Sequence, residues 1–172
     1  MANVLILNGA GRKNGSTVKL VEAFTKGAES AGNIVERFDL YGMDIHGCIG
    51  CEGCARPGVS PESPCVQKDS MTRIYEAFAR SEVVVFASPI YFWAVTGVLK
   101  TASDRLYAEL RCLGREGFPR KSVLLMTAAG PSYDEPVEWY RIFERHLGWT
   151  NLGEVLGSGH EQEAYDLGAS IH

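Results

Sequence analysis

The sequence predicts an α/β fold: a five-stranded parallel sheet in the order 2-1-3-4-5, covered by helices on both faces. Three observations predict it. Val4-Leu5-Ile6-Leu7, Val83-Val84-Val85-Phe86-Ala87 and Val123-Leu124-Leu125-Met126 are short unbroken apolar runs, the pattern of strands buried on both faces. Helical periods fill the intervals, so strands and helices alternate and parallel crossovers follow. Two further strand candidates, Ile34-Val35-Glu36-Arg37-Phe38 and Leu152-Gly153-Glu154-Val155-Leu156, carry internal charges and suit the sheet edges.

Each helix has its own stripe. Val18, Val21, Phe24 and Ala28 mark the first; Met71, Ile74, Tyr75 and Phe78 mark the second, with Asp69 or Ser70 as its N-cap. Val95, Val98, Leu99, Ala102, Leu106 and Leu110 form a long third stripe. The fourth starts at Asp134 with Pro136 in its first turn and runs through Val137, Tyr140, Phe143 and Leu147. Charged strands at the second and fifth positions match a flavodoxin-like three-layer sandwich better than the other common doubly wound order. The polar tail from Gly157 onward suits a short helix with no assigned place, and Tyr41 to Gln67 shows no clean period. A loop of that length is usually functional.

With 172 residues the chain is read as one domain, 1–172. A net charge of −4 and no basic run argue against nucleic acid and anionic membranes as partners. No apolar stretch approaches membrane-spanning length, and Met1-Ala2-Asn3 leads straight into a strand without a charged leader, so a cytoplasmic protein is expected. Four of the five cysteines fall between 48 and 65; in a reducing compartment, metal, cluster or redox roles come before disulfides.

Open α/β sheets bind ligands beyond the carboxyl ends of their strands, where the strand order reverses. That directs attention to the loops after Leu7 and Ala87. The first reads Asn8-Gly9-Ala10-Gly11-Arg12-Lys13-Asn14-Gly15-Ser16-Thr17. Its glycines allow a tight turn, Ser16 and Thr17 open a helix whose dipole favours an anion, and Arg12 and Lys13 add positive charge. Asn14 stands where a dinucleotide fingerprint needs its third glycine, so a single terminal phosphate is expected rather than a pyrophosphate. An ordinary glycine turn with a Ser/Thr cap is the competing reading. The second loop, Ser88-Pro89-Ile90-Tyr91-Phe92-Trp93-Ala94, carries three consecutive aromatics that cannot all enter a core. They wall a flat cofactor or cover a helix end or subunit interface. The third loop, Thr127-Ala128-Ala129-Gly130-Pro131-Ser132, is rich in small residues and admits a ring close to the backbone.

Together these loops, the Cys-x-x-Cys-x-x-Cys run, and Ser88-Pro89-Ile90-Tyr91 followed by Lys100 and Asp104-Arg105 resemble the NAD(P)H-dependent FMN reductases of the flavodoxin-like superfamily. The iron–sulfur flavoproteins are the most similar branch. The resemblance covers residues 3 to about 156 and is most specific from Ser88 to Arg105. It implies that Arg12, Gly15, Ser16 and Thr17 hold the FMN phosphate within a loop that includes Gly9. The family's usual hydroxyl is replaced by Ala10, so its contact falls to backbone or to Asn14. It further implies that Pro89 to Trp93, through the amides of Ile90, Tyr91, Phe92 and Trp93, meet the polar edge of the isoalloxazine, with Ala128, Ala129 and Gly130 opposite. A homodimer or homotetramer is implied too. Lys100 and Asp104 share a helix face, and with Arg105 they are read as structural or interface ions, on the plainest reading at the helix surface.

Cys48, Cys51 and Cys54 at two-residue spacing, with Cys65 ten residues on, can converge on a [4Fe–4S] cluster or remain a loop of free thiols. The long gap to Cys65 departs from the branch's pattern. Cys112 reads as a packed thiol and His46 as a surface or packing residue, and no hydrolytic triad is visible. The expected function is an FMN-dependent oxidoreductase that moves hydride from NAD(P)H to FMN, then electrons to a small-molecule or protein acceptor, with no catalytic side chain required. An iron–sulfur flavoprotein carrier fed by a donor such as ferredoxin is the alternative. A non-flavin α/β domain with a metal-binding cysteine loop is the third reading.

Overall fold

The computed structural model describes residues 1–172. Strands β1 (Asn3–Asn8), β2 (Ile34–Asp39), β3 (Val83–Pro89), β4 (Lys121–Thr127) and β5 (Thr150–Leu156) form one parallel sheet in the order β2-β1-β3-β4-β5. This is the predicted flavodoxin-like order. In central β3 every residue from Val83 to Ser88 is buried, whereas edge strand β2 buries only Phe38 and edge strand β5 only Val155. A one-residue bulge shifts the register of β5 against β4 next to Ser122.

Alternation sorts the strand side chains into two cores. Val4, Ile6, Val83 and Val85 join Leu20, Val21 and Phe24 of α1 (Ser16–Ser30) and Ala164 of α6 (Glu161–Ala169). On the other face Leu5, Leu7, Val84 and Phe86 pack with α2 (Met71–Arg80), α3 (Gly97–Arg105), α4 (Tyr107–Gly117) and α5 (Asp134–Leu147). Trp149 anchors that second core among Phe78, Phe86, Phe118 and Phe143. No helix is long and apolar enough to cross a membrane.

One expectation changes and one element finds its place. The long third stripe is two helices that meet at Leu106, and Gly114 breaks α4 again with a φ of 69°. The unplaced tail forms α6, which lies against α1 at glycine contact. A Cβ on Gly27 would stand 2.0 Å from the Tyr165 carbonyl oxygen, and one on Gly168 would stand 2.2 Å from that of Phe24.

The segment 41–67 is irregular apart from a short 3₁₀ turn, Gly53–Ala55. Its ends are tied to the helices. Asp69 accepts from the Met71 amide (3.0 Å) at the start of α2 and from the His46 amide (3.0 Å). Arg105 reaches the same carboxylate and the His46 carbonyl oxygen (2.7 Å). Arg105 is therefore a buried structural cation and not a helix-surface ion, while Lys100 and Asp104 do pair at the surface (2.6 Å).

Candidate functional site

The carboxyl ends of β1, β3 and β4 open onto a cavity of about 240 Å³. Ala10, Gly11, Arg12, Gly15, Ser16 and Thr17 line one side, and Pro89, Ile90 and Tyr91 line the next. Thr127, Ala128, Ala129 and Ser158 complete it. Past Tyr91 and Ala128 it continues into a shallower trough of about 520 Å³, walled by Phe92 and Trp93 and by Gly130 and Ser132.

The cavity floor is the N-terminus of α1. Its N-cap is Gly15, with no side-chain cap and no acidic residue in the first turn. The first intrahelical bond runs from the Lys19 amide to the Gly15 carbonyl (3.1 Å), which leaves the amides of Ser16, Thr17 and Val18 without helical acceptors. These donors, the helix dipole and the exposed Arg12 make an anion seat.

Not every loop residue contributes to it. The Thr17 hydroxyl is 2.6 Å from that of Thr127, both buried, so it fastens α1 to β4 and leaves only its amide for a ligand. Gly9 lies outside the cavity wall: its amide bonds to Ala87, and a Cβ there would stand 2.4 Å from Thr96 Oγ1. It is a packing glycine against the start of α3. Asn14 is exposed and also outside the wall, because the turn carries it outward. The Ala10 amide bonds to Asn8 Oδ1 (3.1 Å). Gly11, absent from the expected set, lies under the Tyr41 ring, which a Cβ would approach to 3.1 Å.

The loop after β3 is a two-residue hairpin. The Tyr91 amide donates to the Ala94 carbonyl (3.0 Å) and the Ala94 amide to that of Tyr91 (3.2 Å). Phe92 and Trp93 occupy the turn with φ of 49° and 57°, a left-handed conformation that costs about 1–2 kcal/mol for each non-glycine residue. Its base is fixed, since the Ile90 amide bonds to Thr127 (2.8 Å), the Thr96 amide to Ser88 Oγ (2.9 Å), and the Thr96 hydroxyl to the Gly9 carbonyl (2.9 Å). The amides of Ile90 and Tyr91 are thus engaged within the protein, and those of Phe92 and Trp93 are the ones left free. Across the trough the Ala128 amide donates to the Tyr133 hydroxyl (3.0 Å), leaving Ala129 and Gly130 free. Ser158 and Thr96 carry no sequence expectation, and Thr127 enters only as the start of the third loop; of the three, Thr96, a hydroxyl just before a helix, carries a local signal.

A second concavity, about 270 Å³, brings Cys48, Cys51, Cys54 and Cys65 together beside Gln67 and Arg105. All five cysteines of the chain are free. Burial pushes the Cys54 thiol up, and Cys65, Cys48 and Cys51 add to the rise. No group of three His, Cys, Asp or Glu side chains stands close enough to hold a metal ion. The four cysteines suit an iron–sulfur cluster as a donor set, without forming a ready cage. Cys112 bonds to the Val59 carbonyl (3.0 Å), and the exposed His46 ring pairs with Asp44 (3.0 Å), as packing and surface roles require.

Comparison with known proteins gives the family and the fold. The model of the NADPH-dependent FMN reductase family matches residues 2–162. An iron–sulfur flavoprotein of Archaeoglobus fulgidus is 35% identical over 98 residues, 57% of this chain and 42% of that protein. The chain therefore spans less than half the length of that relative. Among solved structures, the NAD(P)H:quinone oxidoreductase of Methanothermobacter marburgensis superposes with a TM-score of 0.71 at 21% identity, covering 98% of this chain and 96% of that one. Megasphaera elsdenii flavodoxin gives 0.61 at 12%, covering 98% and 99%. At these identities the two structures establish the fold.

Proposed function

Because this chain belongs to the NADPH-dependent FMN reductase family, we propose that it is an FMN-dependent oxidoreductase that takes hydride from NAD(P)H and delivers electrons to a small-molecule acceptor. The observation that carries this reading is the uncapped N-terminus of α1, opening into a cavity that widens into an aromatic-walled trough. The amides of Ser16 and Thr17 take the FMN phosphate, with Arg12 supplying positive charge. The free amides of Phe92 and Trp93 serve one side of the isoalloxazine and those of Ala129 and Gly130 the other. Bound FMN supplies the hydride-accepting atom, so the chain needs no acid or base of its own. Its part is to hold the ring against fixed donors and leave one face open.

The quinone oxidoreductase named above supports a small-molecule acceptor. We further read the chain as one FMN-binding domain that works as a homodimer or homotetramer in the cytoplasm, where reducing conditions suit five free thiols.

One observation favours a second reading: four cysteines line a single concavity. A [4Fe–4S] cluster held there would make the protein an electron carrier fed by a protein donor, supplying one-electron chemistry beside the flavin. Iron and acid-labile sulfide in anaerobically purified protein test it, and absence of both removes it.

The main reading is tested by titrating apo-protein with FMN and with riboflavin. A phosphate on charged and backbone donors is expected to make FMN bind at least about 100-fold more tightly. Equal affinities would contradict the phosphate site.

A further inference from the structure

The cysteine concavity has a cation built into its wall. Arg105 lines it together with Cys48, Cys51, Cys54 and Cys65, although its side chain is only 1% exposed. Burial works against the Arg105 charge, and Asp69, Tyr75 and Cys65 more than restore it. Asp69 is its ion-pair partner but does not line the concavity, so toward the thiols the pair presents its positive end. A guanidinium carries five N–H donors. Here Nε donates to the Tyr75 hydroxyl (3.1 Å), Nη1 to the His46 carbonyl (2.7 Å) and to Asp69 (2.6 Å), and Nη2 to Asp69 (3.3 Å). The second Nη2 hydrogen has no acceptor within the protein.

The chain around this donor is fixed. Gly53, between Cys51 and Cys54, meets Val66 so closely that a Cβ would stand 2.5 Å from Val66 Cγ1. Gln67 Nε2 donates to the Gly47 carbonyl (3.1 Å). Both contacts draw residues 65–67 against 47–54 and set the half-buried Cys65 beside Tyr75 and Arg105. Burial pushes the Tyr75 phenol up, and Cys65 adds to that rise. A purely structural tie would be complete with Asp69, His46 and Tyr75. It explains neither the spare donor nor its place among four thiols.

We infer that Arg105 is the charge partner of the cysteine concavity: its uncommitted N–H serves the Cys65 sulfur, and its positive charge makes a [4Fe–4S] group held there easier to reduce. The inference rests on the second reading above and gives that site a residue that sets its potential. Positive charge and hydrogen bonds at the sulfurs favour the form that carries the extra electron. The step is a bare electron transfer. One electron arrives from the protein donor, no bond forms or breaks, and Arg105 gives up no proton.

The test is a redox titration of the anaerobically purified full chain with FMN bound, following the iron–sulfur signal by electron paramagnetic resonance and the flavin bands by absorbance. Arg105→Gln/Asp69→Asn removes both charges and keeps hydrogen-bonding groups in place. Its iron–sulfur potential is expected to fall by about 59 mV, a tenfold loss in the equilibrium constant for taking up one electron. Asp69→Asn alone leaves the Arg105 charge unopposed and should shift the potential upward. It also keeps an acceptor for Arg105, so it decides the matter if the double variant does not fold. The flavin potential should stay put in both, since Arg105 lines neither the cavity nor the trough. A structural role would not move the two variants in opposite directions. An unmoved iron–sulfur potential, a fall in Asp69→Asn, or iron lost from both variants at unchanged Tm overturns the inference. A wild type without iron and acid-labile sulfide overturns the second reading and the inference together. A wild type with both, whose potential the variants leave unmoved, overturns the inference alone.

Discussion

Arg105 donates to Asp69 across 2.6 Å, with both side chains out of solvent, and so ties the start of α2 and the entrance of the cysteine segment to the end of α3. The guanidinium also donates to the Tyr75 hydroxyl (3.1 Å) and the His46 carbonyl. Burial alone would push the Asp69 carboxyl up, but hydrogen bonds from Arg105 and from the His46 and Met71 amides outweigh it and hold the carboxyl below its usual range. Breaking the pair by Arg105→Met leaves an uncompensated buried carboxylate. The expected loss is about 3–5 kcal/mol in urea unfolding. A depressed carboxyl stabilises the fold above its unfolded value of about 3.9, and that stability is lost as pH falls through the folded value. The wild type should therefore weaken in acid more steeply than Asp69→Asn.

Glu109 titrates in the opposite direction. Its carboxyl is fully buried with neither oxygen hydrogen-bonded. Burial raises it to about 8, offset in part by Arg120. A raised carboxyl contributes stability that is fully present below its unfolded value and lost as pH climbs through the folded one. Between pH about 4.5 and about 8 the wild type should lose stability from this group at up to about 1.4 kcal/mol per pH unit. Glu109→Gln should flatten that slope when urea unfolding is repeated across the window.

The Thr17–Thr127 bond separates folding from cofactor binding. Thr17→Val strands a buried hydroxyl and should cost about 1–3 kcal/mol of stability. The Thr17 amide survives the change, so FMN affinity should fall less than in Arg12→Ala, where about a tenfold loss is expected. A larger affinity loss in Thr17→Val would show that the hydroxyl faces the ligand.

The α1–α6 contact is intolerant of a single methyl. Gly27→Ala would press a Cβ onto a backbone oxygen of α6, which cannot move aside as a side-chain tip could. The expected loss is about 1–3 kcal/mol by thermal unfolding, with faster hydrogen exchange in α6. Gly32→Ala, with open space around its Cβ, should cost only its backbone strain.

These contacts explain where the sequence was legible. Unbroken apolar runs set the central strands, and charges within Ile34–Asp39 and Thr150–Leu156 set the edges, because burial on two faces leaves a compositional mark. The third apolar stripe read as one helix because both sides of the break at Leu106 bury into the same core. Helix α6 could be read as a short helix but not placed, because it meets α1 through Gly27 and Gly168, and glycine adds nothing to an apolar period. At the candidate site, the glycine loop and aromatic loop were visible as local composition. The bonds that take the Ile90 and Tyr91 amides and fix Thr17 to Thr127 join distant segments and leave no local trace. The left-handed turn at Phe92 and Trp93 runs against turn preferences, which call for glycine or asparagine there.

The most direct test of the account is the visible spectrum of FMN-reconstituted protein, mixed anaerobically with NADPH and then with NADH. The account predicts one tightly held FMN per chain whose flavin bands bleach within the dead time or seconds of mixing with at least one donor. A protein that takes up no FMN, or whose bound flavin responds to dithionite but to neither nucleotide, would contradict it.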